Sequence, residues 1–176
     1  MAATEAKSKQ PQWRGLSAND IESLAIVADT IHPGLPERNE VFAERANLFP
    51  EGCLALINDS DQLVGYAISH PIKRFQTPSL DTLLGQIDPK ADQYYIHDLT
   101  ILPEYRGAGF ARVCIDRLLA VGREYETTCL ISVYGTERFW ERFGFVKVEI
   151  GEELREKSRD YGDDAVYLER KSDVDA

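Results

Sequence analysis

A chain of 176 residues, 43% hydrophobic and 28% charged, is long enough for one domain with its own core and too apolar to be a disordered chain. Its net charge of −10 argues against general affinity for nucleic-acid phosphates. No apolar run approaches the ~20 residues of a membrane-spanning helix, so neither nucleic acid nor membrane is expected as a partner.

Met1 to Gln12 (MAATEAKSKQPQ) is small and polar, lacks the apolar stretch of a secretory signal, and reads as a tail. Trp13 to Leu16 reads as a short opening strand. Ser17, Asn19 and Asp20 can cap a helix over 18–30, with Ile21, Leu24 and Ala28 along one face. The stretch HPGLPER, His32 to Arg38, breaks that helix with two prolines and a glycine, and a second helix is expected over 37–47. Pro50 and Gly52 then punctuate the chain. Cys53 to Asn58 and Gln62 to His70 read as a hairpin around the turn-rich NDSD.

Residues 71–92 hold three prolines and little periodicity, and are expected to form an inserted loop in which Phe75 and Leu83 stand out as apolar. That loop could cover a binding site or pack against a second subunit, leaving both monomer and homodimer open. Tyr94 to Leu102 is a strong strand, 109–123 a strong helix, Thr128 to Val133 a strand, and 136–143 a short helix. Strands over Phe145 to Ile150 and Ala165 to Arg170 close a single domain expected at 13–170, with 171–176 as a second tail. This order implies a mixed α/β domain: a partly antiparallel sheet with helices on both faces, in which Tyr94–Leu102 and Thr128–Val133 are parallel across a strand–helix–strand crossover.

Cys53, Cys114 and Cys129 lie in apolar contexts without metal spacing, so buried free thiols, no bound metal and a reducing, cytoplasmic setting are expected. Glu149 to Ala176 carries ten acids and five bases, which is either solvated surface or an acidic rim that draws in cationic amines.

The segment LTILPEYRGAGFA places Arg106, Gly107 and Gly109 between a strand and a helix. A dinucleotide fold would want a third glycine where Arg112 stands, and a Walker loop would want Gly-Lys-Ser/Thr, so both nucleotide readings fail. Two glycines at a helix start still let backbone N–H groups approach an anion, with the helix end adding partial positive charge. Arg106 can add a charge-assisted hydrogen bond. Spacing alone leaves a phosphate seat and a plain turn equally open.

The segment resembles the R/Q-x-x-G-x-G/A signature of the GNAT superfamily of acetyl-coenzyme A-dependent N-acetyltransferases. RFWERFGF, Arg138 to Phe145, resembles that family's second signature, and the element order matches over 13–170. The resemblance implies a central, mostly antiparallel sheet of six to seven strands whose two parallel strands splay apart. It implies acetyl-coenzyme A as co-substrate, its pyrophosphate on Arg106, Gly107, Ala108, Gly109, Phe110, Ala111 and Arg112. The pantetheine arm would pair with Leu99, Thr100 and Ile101 and pass Phe139.

YYIHDLTI is also similar to the H-x-H-x-L-A-V strand of the aralkylamine N-acetyltransferases, with Tyr95 on the first histidine and His97 on the second. FPEGCLAL and FWERFGF are more loosely similar to segments of the same subfamily. His97 is therefore the expected base, Tyr95 sharing its face and Asp98 turned to the other by strand alternation. The family commonly carries an acidic tyrosine where this chain has Trp140, so Tyr134 is the available substitute. Pro33, Leu35 and Glu37, between the first two helices, are expected to form part of the acceptor pocket, Glu37 meeting a cationic amine. The reading is an N-acetyltransferase acting on a small primary amine, arylalkylamine or polyamine-like. The alternatives are a protein lysine or N-terminal acetyltransferase and a coenzyme A-binding module with little catalysis.

Overall fold

The computed structural model describes residues 10–173. Most of the tail expected at 1–12, and the last three residues of 171–176, lie outside them. In chain order the elements are β1 (Gln12–Gly15), α1 (Ile21–Ile31), α2 (Asn39–Leu48), β2 (Leu54–Ile57), β3 (Leu63–Ile72), β4 (Gln93–Ile101) and α3 (Phe110–Gly122). They continue with β5 (Thr127–Ser132), α4 (Glu137–Glu141), β6 (Val146–Lys147), α5 (Glu152–Arg159) and β7 (Val166–Lys171). The seven strands form one sheet in the order β1-β2-β3-β4-β5-β7-β6. Among the described residues only β4 and β5 are parallel; every other neighbouring pair is antiparallel.

Alternation along the strands sends each hydrophobic set to a different helix layer. Leu54, Leu56, Tyr94, Ile96 and Leu130 meet Cys114, Ile115 and Leu118 of α3 on one face. On the other face Cys53, Ala55, Tyr66 and Ile68 meet Leu24, Val27 and Ala28 of α1 and Phe42 of α2. Farther along that second face, Ile72, Tyr95, Cys129 and Tyr167 take Leu154 of α5. Each fully buried leucine or isoleucine here contributes roughly 1.5–3 kcal/mol by leaving water. The start of α1 is fixed by Asp20, whose carboxylate accepts the Ser17 backbone N–H at 2.8 Å and two bonds from the Arg14 guanidinium at 2.7 and 2.9 Å. Cys53, Cys114 and Cys129 are buried free thiols.

Two features of β4 position the site. Its pairing with β5 runs from Gln93↔Thr127 to Ile96↔Leu130 and stops there, although both strands continue, so they part beyond Ile96. Its pairing with β3 steps from Ser69↔Ile96 to Ile68↔Asp98 and leaves His97 as the extra residue of a β-bulge. The bulge cancels the alternation expected at this point. His97 reaches Glu37 and Tyr161, while Asp98 reaches Tyr66 and His32, all on the α1/α2/α5 side. The expectation that the two residues face opposite ways is overturned.

Residues 73–92 contain no helix or strand and fold down onto their own chain. Arg38 pairs with Asp81 at 3.1 Å, Glu44 accepts the Leu84 and Gly85 N–H groups at 2.6 and 2.9 Å, and Arg45 donates to the Thr82 carbonyl at 2.8 Å.

Buried His70 on β3 leaves Nε2 without a partner, and desolvation pushes its imidazole down to about 3. The unfolded chain takes up that proton near pH ~6.5 and the folded chain does not. Stability is therefore lost as pH falls from ~6.5 toward 3, by up to ~1.4 kcal/mol per unit. In pH-dependent denaturation, His70→Leu should flatten this acid limb relative to wild type; an identical slope would show that His70 takes its proton while folded.

Candidate functional site

The parting of β4 and β5 opens a groove of about 760 Å³ that runs to the start of α3. A short turn at Pro103–Tyr105 ends β4, and Arg106 Nε donates to the Ile101 carbonyl at 2.8 Å, locking strand to turn. Gly107 and Gly109 sit at φ +81° and +87°, in the left-handed region where glycine is favoured. A Cβ built on either would meet nothing within 4 Å, so the space beside this turn is open. Gly109 caps α3, whose first-turn N–H groups have no intrahelical acceptor. Arg106, Arg112 and Arg142 bring positive charge to the rim, and Phe139, Trp140 and Phe143 form an aromatic wall. The Arg112 guanidinium lies 5.2 Å from the Phe143 ring centre and that of Arg142 5.4 Å from Phe139.

At the other end of the groove a chain of polar groups crosses between elements. His32, which ends α1 with its N–H on the Ala28 carbonyl, sets Nδ1 2.9 Å from the Tyr134 hydroxyl. Its Nε2 lies 2.8 Å from Thr100 Oγ1 and 3.4 Å from Asp98 Oδ1. Thr100 Oγ1 donates to Asp98 Oδ1 at 2.8 Å, and the Tyr66 hydroxyl donates to Oδ2. Burial pushes His32 down, but the Asp98 hydrogen bond and charge, helped by Glu37 and opposed by Arg106, leave it raised above its ordinary value. Burial would raise Asp98, yet His32 and the Tyr66 hydroxyl hold its carboxyl below the usual range. Burial, together with Asp98 and Asp164, raises Tyr134.

Several sequence-predicted residues meet at this groove: Leu99, Thr100, Ile101, Arg106, Gly107, Gly109, Phe110, Ala111, Arg112, Phe139 and Tyr134 all line it. Ala108, between the two glycines, does not. Tyr95 is fully buried and packs with Ile72, Cys129 and Leu154 away from the groove. His97 borders the groove, but its side chain is 2% exposed, with Nε2 2.7 Å from Glu37 Oε1 and Nδ1 3.4 Å from the Tyr95 hydroxyl. Both ring nitrogens thus face protein, which corrects the expectation of a base aimed at the acceptor. Pro33, Leu35 and Glu37 do not line the groove; Glu37 turns inward to His97. Sequence reasoning misses His32 and Asp98. The only signal is a histidine directly before Pro-Gly at the end of an apolar helix.

A mixed sheet whose two parallel strands part beside a glycine turn and a helix start defines an acetyltransferase fold. The chain belongs to the acetyltransferase (GNAT) family, whose profile matches residues 20–145. Among solved structures it is similar to the loading GNATL domain of CurA from Lyngbya majuscula, at TM-score 0.74 and 15% identity, covering 93% of this chain and 98% of that one. It is similar to the GphF GNAT-like decarboxylase in complex with isobutyryl-CoA, at TM-score 0.72 and 16% identity, covering 92% and 100%. Arabidopsis thaliana Naa50 in complex with the bisubstrate analogue CoA-Ac-MVNAL is similar at TM-score 0.66 and 16% identity, covering 93% and 99%. At such identities the likeness is one of fold. No curated protein sequence matches the chain.

Proposed function

We propose that the chain transfers an acetyl group from acetyl-coenzyme A to a small primary amine. The observation that carries this is the open glycine turn at the start of α3, at one end of a groove whose other end holds titratable groups. The residues fit the co-substrate: Gly107 and Gly109 leave room for a pyrophosphate, α3 offers free N–H donors, and three arginines supply charge. The groove-side N–H and C=O groups of β4 beyond Ile96, which have no β5 partner, are available to an extended pantetheine arm. GphF and Naa50 were solved with coenzyme A derivatives, which supports the assignment.

Bound there, acetyl-coenzyme A supplies a thioester carbonyl open to attack by nitrogen. The rest is the work of side chains. An alkylamine with pKa ~10.4 costs about 4–5 kcal/mol to neutralise at pH 7, so a group that removes its proton has a large effect. Asp98 in the groove, with Asp164 beyond Tyr134, favours a cationic acceptor on this side. Naa50 with its peptide-bearing analogue favours the second reading, a protein amino group.

The test is thiol release from acetyl-coenzyme A against arylalkylamines, polyamines, aminoglycosides and lysine peptides from pH 6 to 10. Turnover with the small amines is expected. Turnover with peptides alone would select the second reading, and silence with tight coenzyme A binding would leave a binding module.

A further inference from the structure

We propose that Tyr134, His32 and Asp98 form a relay that carries the proton from the attacking nitrogen to the departing sulfur. This rests on the acetyl-transfer reading and assigns the acid–base chemistry of that site. Three observations converge on it. Trp140, in the groove wall, is buried and has no acidic proton to give. His97 has both ring nitrogens engaged by Glu37 and Tyr95. Of the groove hydroxyls, that of Tyr134, 54% exposed, meets the partly buried His32 ring at Nδ1, whereas Thr100 Oγ1, at Nε2, has its proton on Asp98.

Tyr134 is held in an unusual way. Its φ of +55° is in the left-handed region, which costs a non-glycine residue roughly 1–2 kcal/mol. That conformation lays its ring parallel to His32, with centroids 5.5 Å apart and planes inclined by 10°. The side-chain geometry also fixes the histidine tautomer. Thr100 Oγ1 spends its proton on Asp98 and so accepts from His32 Nε2–H; Nδ1 of the neutral ring is then free to accept from the Tyr134 hydroxyl. Asp98, placed by the bulge and held by Tyr66 and Thr100, stabilises the imidazolium that forms. The charged and titratable groups facing His32 are Asp98 on β4, Glu37 before α2, Arg106 after β4 and Tyr134 after β5; the carboxylates outweigh Arg106.

The proton balance closes. As the N–C bond forms, nitrogen loses a proton to Tyr134 Oη, whose own proton passes to His32 Nδ1. As the C–S bond breaks, its electron pair goes to sulfur, Tyr134 protonates the sulfur, and His32 refills Tyr134. Amine and thioester become amide and thiol, and the enzyme is unchanged; an ammonium acceptor releases one further proton to solvent.

The experiment uses the full chain, acetyl-coenzyme A and a weakly basic fluorinated amine that is already neutral at pH 6. In wild type, kcat/KM should rise with pH through an apparent value above ~6.5, because His32 must be neutral to accept. Tyr134→Phe should slow turnover about 10²–10³-fold with KM for acetyl-coenzyme A nearly unchanged, and both Tyr134→Phe and His32→Gln should lose that pH limb. NMR titration of the His32 ring should show its pKa falling in Asp98→Asn. If His32→Gln does not fold, Tyr134→Phe at its exposed position carries the test. A Tyr134→Phe enzyme with wild-type kcat and pH profile overturns the relay alone. A wild type that binds coenzyme A and acetylates no amine overturns the transfer reading and the relay with it.

Discussion

Gly109→Trp is expected to weaken coenzyme A binding by at least about 100-fold, whereas Gly109→Ala should weaken it far less. The two substitutions share one cost and differ in another. Any side chain at φ +87° strains the backbone, by roughly 1–2 kcal/mol. Alanine adds a methyl that meets nothing within 4 Å, so strain is its main penalty. An indole would fill the open space beside the turn and cover the first N–H groups of α3. Thermal denaturation with and without coenzyme A separates the terms. A ligand at 100 times its Kd stabilises a fold by about 2.7 kcal/mol. Wild type should show that gain, Gly109→Ala most of it and Gly109→Trp at most about 0.4 kcal/mol, while all three remain folded in its absence. Normal binding by the tryptophan variant would reduce the glycine segment to a turn.

The glycine turn is readable in the sequence because its requirement is local: positive φ twice within three residues, directly after an apolar strand and before an amphipathic helix. The core helices and the parallel crossover are readable for the same reason, their apolar periodicity being confined to single segments. The elements that escape a sequence reading lack such a pattern. Helix α5, EELREKSR, buries only Leu154 and Ser158, so its sequence shows charge and almost no stripe. The strand expected over Phe145–Ile150 shrinks to Val146–Lys147, both exposed at the sheet edge, where a partner lies on one side only. Strand β3 runs on through Pro71 to Ile72, two residues past the end expected at His70.

The groove is legible at its glycine-turn end and not at its polar end, for two physical reasons. Alternation has a period of two only while the ladder is regular, and nothing in YYIHDLTI announces the extra residue at His97. The bulge moves Asp98 from an expected far face to the groove's polar network. His32 meets Thr100 across 68 residues and Tyr134 across 102, contacts made by tertiary folding that no short window contains.

His97→Ala decides between the two histidines, and its larger effect is expected on stability. The His97 and Glu37 side chains are 2% and 6% exposed and joined at 2.7 Å, so removing the imidazole leaves a buried carboxylate short of a donor. Leaving a buried polar group without its hydrogen-bond partner costs about 1–3 kcal/mol, more for a charged one. Glu37 also accepts the Asp81 N–H at 3.3 Å, so the loss should loosen residues 73–92 around Asp81. His97→Asn, which can still donate to Glu37, should recover more than half of the stability. Adding Glu37→Gln to His97→Ala should recover part of it, because a neutral amide tolerates burial better than a lone carboxylate. Denaturation midpoints and kcat read the two roles apart. A positioning residue moves the midpoint and lowers kcat through the fraction folded, leaving the pH limb assigned to His32 in place. Turnover slowed by about 10²–10⁴-fold, with an unchanged midpoint and the pH limb erased, would return the base to His97 and remove it from His32.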